Sequence, residues 1–286
     1  MGILVTIFSA LCSTAKDIVS KGLASRVHSD VSTFASFLFA LPFYALIVVV
    51  ATLLGLEPLA FSGSFFWLVL ARSVTDVFAE SLKMKAFASG DLSLVSTFLS
   101  LSPIFLAILS PFTTGDNVTV IDLLALGLIV AGGLLLIQRD ASTGKVFQLK
   151  AVLFALAASV AFALNSCFDR LAVMESGPIV SGLAMTLLAA LFTLPLAFRH
   201  HGAGHALSLN SSSFLVRGAF EALFMVSKLF ALTMLPAHVV VGGTRVSLIV
   251  SVIAGRLWFG ERNTLRRFIA ALCVYAGLLI LVLEHV

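Results

Sequence analysis

Charged residues are scarce in this chain. Only 11% of its 286 residues are Asp, Glu, Lys or Arg, whereas about a quarter of a typical soluble domain is charged. Apolar residues make up 60%, and the mean hydropathy is +1.11. This composition excludes an ordinary soluble domain and predicts a multi-pass integral membrane protein, which would lie in the plasma or inner membrane if the source is bacterial or archaeal. The basic residues are scattered singly, so nucleic acid is not an expected partner.

Cysteines and catalytic motifs are also scarce. Cys12, Cys167 and Cys273 lie in separate apolar segments without CxxC or Cys/His spacing, which excludes a disulfide framework and a zinc site built on cysteine. The chain contains no GxGxxG, Walker, HExxH or nucleophile-elbow sequence and therefore offers no support for soluble-type catalysis. The histidine-rich run at 199–205 has irregular spacing and is predicted to be a solvated connection. We expect no metal and no cofactor.

Long apolar runs are what the sequence does contain. A transmembrane helix needs ~20 predominantly apolar residues. Ten runs meet this requirement: 2–20, 31–54, 63–87, 92–112, 119–138, 149–171, 178–198, 213–235, 238–259 and 264–283. Short polar or turn-rich pieces separate them, and none of these pieces has the length of a separate soluble domain. The sequence therefore predicts ten spans.

The chain repeats itself. A shift of 145 residues places Arg72 on Arg217, Asp76 on Glu221, Lys83 on Lys228, 115–116 on 260–261 and 131–132 on 276–277. About seven further residues of shift place Asp17 on Asp169. Five spans per half require the second half to enter the membrane in the opposite sense. We predict an all-α protein of ten transmembrane helices in two inverted five-helix repeats, residues 1–140 and 146–286.

The turns after the fourth and ninth spans point to a family. GDN at 115–117 and GER at 260–262 are each followed by a helix with AG, at 131–132 and 276–277. This pattern resembles the EamA-like branch of the drug/metabolite transporter superfamily, although Asp116 stands where that family usually has Glu. The resemblance implies transport of small metabolites through a cavity between spans 1–4 and 6–9, with spans 5 and 10 peripheral.

The orientation in the membrane stays open. Twelve lysines and arginines follow the odd-numbered spans, and at most Arg170 lies on the other side. The positive-inside rule then places both termini outside the cytoplasm. The family resemblance implies the opposite, with both termini in the cytoplasm.

Several charges fall inside the predicted spans, where each costs ~2.5–3.5 kcal/mol on insertion scales. Helical spacing places Arg72, Asp76 and Lys83 in a narrow stripe, which the second half repeats. Two interpretations stay open: ion pairs between residues i and i+4 that hold the helices in the bundle, or a direct role in transport. We expect Lys83 and Lys228 to extend to the interface, and Lys16-Asp17 and Asp169-Arg170 to form interfacial charge pairs.

A second polar stripe runs along the fourth and ninth spans. Ser96 and Ser100 share one helix face, a pattern that is more often packing than lining. Arg245 lies about five residues inside its span and needs water, a carboxylate or an anionic ligand. His238 stands near a helix start, where a histidine is most often a cap.

These features define the functional hypothesis. The predicted binding residues are Arg72, Asp76, Glu80, Arg217, Glu221, Arg245, Ser96, Ser100 and His238, with Asp76, Glu80 and Glu221 as proton-coupling candidates. We expect a secondary transporter, not an enzyme, that moves a small polar metabolite with an anionic or zwitterionic group by alternating access. The alternatives are a membrane enzyme with intramembrane carboxylates and a non-transporting receptor or assembly subunit. The expected partners are a small-molecule substrate and the lipid bilayer, and a homodimer stays open, as do the substrate, direction and coupling ion.

Overall fold

The computed structural model describes residues 1–55, 63–99, 101–135 and 149–245, together with residue 247 and isolated residues between 250 and 284. Within these residues every regular element is a helix. The helices are α1 (Gly2–Ala24), α2 (Ser29–Leu38), α3 (Leu41–Leu53), α4 (Gly63–Ser89), α5 (Leu92–Leu99), α6 (Ser102–Thr113), α7 (Val120–Leu135), α8 (Leu149–Ser176), α9 (Pro178–Phe198), α10 (Ala203–Leu209), α11 (Ser211–Met234) and α12 (Ala237–Gly243). Most of the last predicted span lies outside the described residues.

Four of these helical segments are long and apolar enough to cross a membrane. They are α1, the α2–α3 segment Ser29–Leu53, α8 and α9, while α6 and α7 are apolar but shorter. α4 and α11 contain 27 and 24 residues, a length that also suffices, but each carries three or more charges along its buried face. The prediction of an all-helical chain with apolar spans is confirmed.

Two of the predicted spans each consist of two shorter helices. The run 31–54 divides at Phe39 and Ala40 into α2 and α3, and Pro42 stands in the first turn of α3. The run 92–112 divides in the same way before α6, with Pro103 in its first turn. Proline has no N–H to donate and its ring clashes with the preceding turn, so the helix before it ends. The hydropathy pattern predicts neither these breaks nor α10, which lies in the predicted solvated connection.

The bundle is apolar outside and polar inside. On α1, the side chains of Leu4, Phe8 and Leu11 follow helical spacing on the exposed face, whereas Ser9 and Lys16 are buried. This is the reverse of a soluble protein, in which charged residues are almost never fully buried unless paired. The arrangement suits a bundle whose outer surface contacts lipid.

Glycines allow two close helix contacts. A Cβ added at Gly218 on α11 would lie 2.2 Å from the Phe39 carbonyl oxygen, at the break between α2 and α3. A Cβ added at Gly277 would lie 2.5 Å from the Ala125 carbonyl oxygen on α7. Small residues at such contacts let helix backbones approach closely. The second AG pair of the sequence therefore serves helix packing.

Four helices surround the centre of the bundle. α4 packs along α8, and α1 packs along α11, so each contact joins a helix of residues 1–140 to a helix of residues 146–286. The buried faces of these four helices carry most of the charged side chains described below.

Candidate functional site

A cavity lies between α1, α4, α5, α6, α8 and α11, next to the end of α12. Its volume is about 90 Å³. The charged residues that line it are Lys16, Asp17, Arg72, Asp76, Glu80, Lys83, Glu221, Lys228 and Arg245. Polar neutral side chains, among them Ser96, Ser102 and Asn165, complete this part of the lining. Such a charged interior within an apolar bundle is the candidate site.

One group of ion pairs centres on Asp169 of α8, which is fully buried. Arg72 Nε donates to Asp169 Oδ1 at 2.8 Å, and Lys228 Nζ donates to Asp169 Oδ2 at 2.7 Å. Arg72 also contacts the carboxylate of Asp76, one turn further along α4. Asp76 Oδ1 accepts a hydrogen bond from Asn165 Nδ2 at 2.9 Å. We call Arg72, Asp76, Asp169 and Lys228 the Asp169 network, in which two cations balance two anions.

A second group centres on Glu80 of α4. We call Lys16, Asp17, Glu80, Lys83, Arg217 and Glu221 the Glu80 network. Glu80 Oε1 accepts from Lys83 Nζ at 2.6 Å, and its Oε2 accepts from Arg217 Nη2 at 3.3 Å. Lys16 Nζ donates to Glu221 Oε1 at 2.9 Å, and Lys83 Nζ lies 3.4 Å from Asp17 Oδ1. Three cations balance three anions, so this network is also neutral.

Arg245 belongs to neither network. Its Nη2 donates to Ser102 Oγ at 2.6 Å, while its Nε is buried without a hydrogen-bond partner. Among the described residues, no carboxylate forms an ion pair with Arg245. With all groups ionised, the described charges of the cavity and its two networks therefore sum to +1, located at Arg245. A buried charge without a counter-ion is costly, and an anion in the cavity would offset that cost.

Six predicted binding residues line the cavity: Arg72, Asp76, Glu80, Ser96, Glu221 and Arg245. Arg217 is fully buried behind them, where its Nε donates to Ser20 Oγ at 2.6 Å. His238 is buried away from the cavity lining, with its Nε2 3.2 Å from Asp122 Oδ2. Ser100 lies outside the described residues. The structure thus brings together most of the residues that the charge pattern singled out.

Comparison with known proteins identifies the family. The model of the EamA-like transporter family matches residues 1–138 and 149–283. The chain belongs to the EamA-like transporter family. It is therefore an integral, multi-pass membrane protein of a family of drug/metabolite-type transporters.

A solved structure has the same fold as this EamA-like protein. That crystal structure superimposes with a TM-score of 0.64 at 15% sequence identity, and the alignment covers 99% of this chain and 97% of the other. At this identity the similarity concerns the fold alone. A comparison with curated proteins finds no match.

Two expectations about where the lysines of this EamA-like protein lie are wrong. Lys83 and Lys228 do not extend to the interface, because both are buried in ion pairs with carboxylates. Lys16 is likewise buried, and it contacts Glu221 of α11 instead of forming an interfacial pair. The internal repeat does align Lys83 with Lys228, and that alignment was the available signal for a shared buried role. No comparable sequence pattern indicated that Asn165 lines the cavity.

The two predicted i,i+4 pairs differ. Arg72 contacts Asp76 directly, whereas Arg217 Nη1 and Glu221 Oε2 lie 3.8 Å apart. Arg217 is directed instead towards Glu80 on the other half of the chain. Ion pairing within a helix is therefore one part of a network that joins different helices.

The Gly-Asp turn of this EamA-like protein has a structural role. Asp116 Oδ2 accepts a hydrogen bond from the backbone N–H of Ala237, the first residue of α12. Arg170 Nη2 lies 3.7 Å from Asp116 Oδ1, and Arg170 Nη1 donates to the Leu235 carbonyl at 2.8 Å. The turn therefore fixes the connection between α11 and α12, which precedes Arg245. Its counterpart Glu261 lies outside the described residues.

Proposed function

We propose that this protein is a secondary transporter for a small metabolite with a carboxylate or another anionic group, zwitterions included, and that Arg245 binds this group. Ten spans in two inverted halves, residues 1–140 and 146–286, would expose the cavity to each side of the membrane in turn. The observation that carries the proposal is the guanidinium of Arg245, which lines the cavity without an ion pair among the described carboxylates.

The chemistry at Arg245 favours an anion over a cation. A guanidinium offers a planar set of N–H donors that matches a carboxylate, and one buried donor of Arg245 has no partner. Ser96 Oγ is buried and unpaired beside the cavity, and supplies a neutral polar contact. The cavity volume corresponds to several water molecules. These features support a small ligand with one negative group.

The ion pairs supply a mechanism for alternation. Asp17 and Asp169 correspond through the repeat, and each contacts the corresponding lysine, Lys83 at 3.4 Å and Lys228 at 2.7 Å. The arginines break this symmetry. Arg72 of the first half reaches Asp169 of the second half at 2.8 Å.

Its counterpart Arg217 contacts Ser20 and Glu80, and no ion pair with Asp17 is found in the described part of the chain. In an inverted repeat, the opposite-facing state exchanges the conformations of the two halves. We therefore infer that Arg217 binds Asp17 in that state and that Arg72 leaves Asp169. Asp76, Glu80 and Glu221 stay the candidates for carrying a coupled proton during the exchange.

A binding screen tests the substrate class. Purified protein would be screened by thermal shift against small carboxylates, their amides and matched amines, because only a ligand that binds the folded state raises its stability. We expect carboxylates to stabilise the protein and the amides and amines not to. Arg245→Gln should weaken carboxylate binding by ~10- to 100-fold, since a hydrogen bond to a charged group contributes ~1.5–3 kcal/mol.

The matched control is Arg199→Gln, at an exposed arginine that follows α9. It should leave binding unchanged. If amines bind as well as carboxylates, or if Arg245→Gln binds carboxylates like the wild type, the proposed substrate class is wrong.

The enzyme alternative receives no support from the geometry. A carboxylate dyad that shares one proton, as in an aspartyl protease, requires two acids that converge without basic partners. The described acids of the cavity instead contact cations, for example Glu80 with Lys83 and Glu221 with Lys16. Uptake into proteoliposomes distinguishes a transporter from the receptor or assembly alternative.

A further inference from the structure

Two histidines and an aspartate meet at one end of the bundle, away from the cavity. His28 precedes α2, Asp30 lies in the first turn of α2, and His200 follows α9. One ligand atom from each residue lies within 4.8 Å of the other two. His200 Nε2 is 3.0 Å from Asp30 Oδ2, and His28 Nδ1 is 3.8 Å from the same oxygen.

We propose that His28, Asp30 and His200 form a binding site for a divalent transition metal of the zinc class. Two imidazole nitrogens and one carboxylate oxygen are a common zinc ligand set. Tetrahedral bonds of ~2.0–2.2 Å place neighbouring ligand atoms about 3.4 Å apart. The distances of the two imidazole nitrogens from Asp30 Oδ2, 3.0 and 3.8 Å, lie on either side of that value. Small side-chain rotations would therefore bring the three atoms to distances at which they can bind one ion.

The exposure of the cluster fits an open metal site. The side chains of His28, Asp30 and His200 are 51%, 24% and 36% exposed, which leaves a fourth position accessible to water. The two imidazole rings lie with their centroids 3.7 Å apart. Two imidazoles bound to one tetrahedral ion have their centroids ~5 Å apart, so metal binding would also turn the two rings away from each other.

Competing hydrogen bonds in the cluster are weak or compatible with a metal. His28 Nδ1 accepts from the backbone N–H of Asp30 at 3.3 Å, a long hydrogen bond at the start of a helix. The contact of His200 with Asp30 uses a carboxylate that has a second oxygen and several lone pairs. A metal can therefore replace these contacts without loss of a strong bond.

The site would join distant parts of the chain. Its ligands come from the connection between α1 and α2 and from the residues after α9, and α2 packs along α9. The histidine-rich run contributes only His200 to the cluster, with the other ligands about 170 residues away in sequence. Spacing within the run therefore carried no metal signal. A bound metal would hold α2 and the end of α9 in this arrangement.

Cobalt and zinc titrations test the site directly. Full-length protein, purified without a histidine tag, would be titrated with Co²⁺ by visible absorption and with Zn²⁺ by thermal shift. We expect one Co²⁺ per chain with tetrahedral d–d bands, and a higher Tm with Zn²⁺. Loss of an outer partner of a metal ligand costs 10- to 100-fold in affinity, so His28→Ala, His200→Ala and Asp30→Asn should each weaken binding by at least tenfold.

The control is His205→Ala, which changes an exposed histidine of the same run outside the cluster. It should bind both metals like the wild type. Because the ligands are partly exposed, the variants should keep the metal-free Tm of the wild type, which separates lost binding from lost folding. The proposal is overturned if the wild type binds no metal, if binding survives in His28→Ala/His200→Ala, or if His205→Ala loses it.

Discussion

Asp169→Asn is the substitution that probes the asymmetry of the ion pairs. The carboxylate of Asp169 is fully buried and accepts from Arg72 at 2.8 Å and from Lys228 at 2.7 Å. Asparagine keeps the shape but removes the charge, so two buried cations are left with Asp76 alone. Removal of one partner from a buried ion pair costs ~3–5 kcal/mol. If Arg72 leaves Asp169 in the opposite-facing state, as proposed, the described conformation should lose about 3 kcal/mol relative to the opposite-facing one.

The matched control is Asp17→Asn, at the position that the repeat relates to Asp169. The side chain of Asp17 is 18% exposed and has one longer contact, to Lys83 at 3.4 Å. Its loss should cost the described conformation much less, but should cost the opposite-facing one about 3 kcal/mol if Arg217 binds it there. The conformational equilibria of the two variants should therefore differ by up to about 6 kcal/mol. About 5.5 kcal/mol changes a ratio of 1:99 to 99:1.

Labelling from the two sides of the membrane measures this equilibrium. Ser13 lines the cavity and would be replaced by cysteine in a background with Cys12, Cys167 and Cys273 changed to alanine. A membrane-impermeant thiol reagent would be applied to vesicles of both orientations. Asp169→Asn and Asp17→Asn should shift the ratio of the two labelling rates in opposite directions. Equal shifts, or no shift in either variant, would refute the proposed exchange.

Two further predictions concern the packing that supports the site. Gly218→Ala should lower the free energy of unfolding by ~1–3 kcal/mol or more, and therefore lower Tm, because its Cβ would lie 2.2 Å from the Phe39 carbonyl oxygen. Gly22→Ala meets no atom within 4 Å and should leave Tm unchanged or raise it. Equal Tm values for the two variants would be inconsistent with this contact. Asp116→Ala should cost ~1 kcal/mol in thermal unfolding through the lost bond to the Ala237 N–H, and a wild-type Tm would contradict that role.

Charges on one helix face could be predicted from the sequence because helical spacing is local. Arg72 and Asp76 are one turn apart, and their contact follows from that spacing alone. The internal repeat added information of a different kind, because it aligned Lys83 with Lys228 and Asp17 with Asp169. The burial of these side chains was missed because their positions near the predicted ends of spans suggested contact with water.

Partners on other helices could not be predicted. Lys16 binds Glu221, 205 residues away, and this contact exists only because α1 packs along α11. Arg217 lies closer to Glu80 than to Glu221, its neighbour one turn along the same helix, for the same reason. The helix breaks before Pro42 and Pro103 depend on a residue type with a known effect, but a hydropathy window averages over a single proline. Tertiary packing therefore determines which ion-pair partners on other helices each charged residue contacts, and local spacing does not.

Uptake of an identified carboxylate into proteoliposomes tests the central claim that Arg245 binds the substrate. The wild type and the Arg199→Gln control should accumulate the labelled substrate in exchange for unlabelled substrate inside. Arg245→Gln should lose this exchange while it keeps the monodispersity and ligand-free Tm of the wild type. Exchange at the wild-type rate in Arg245→Gln would contradict the account.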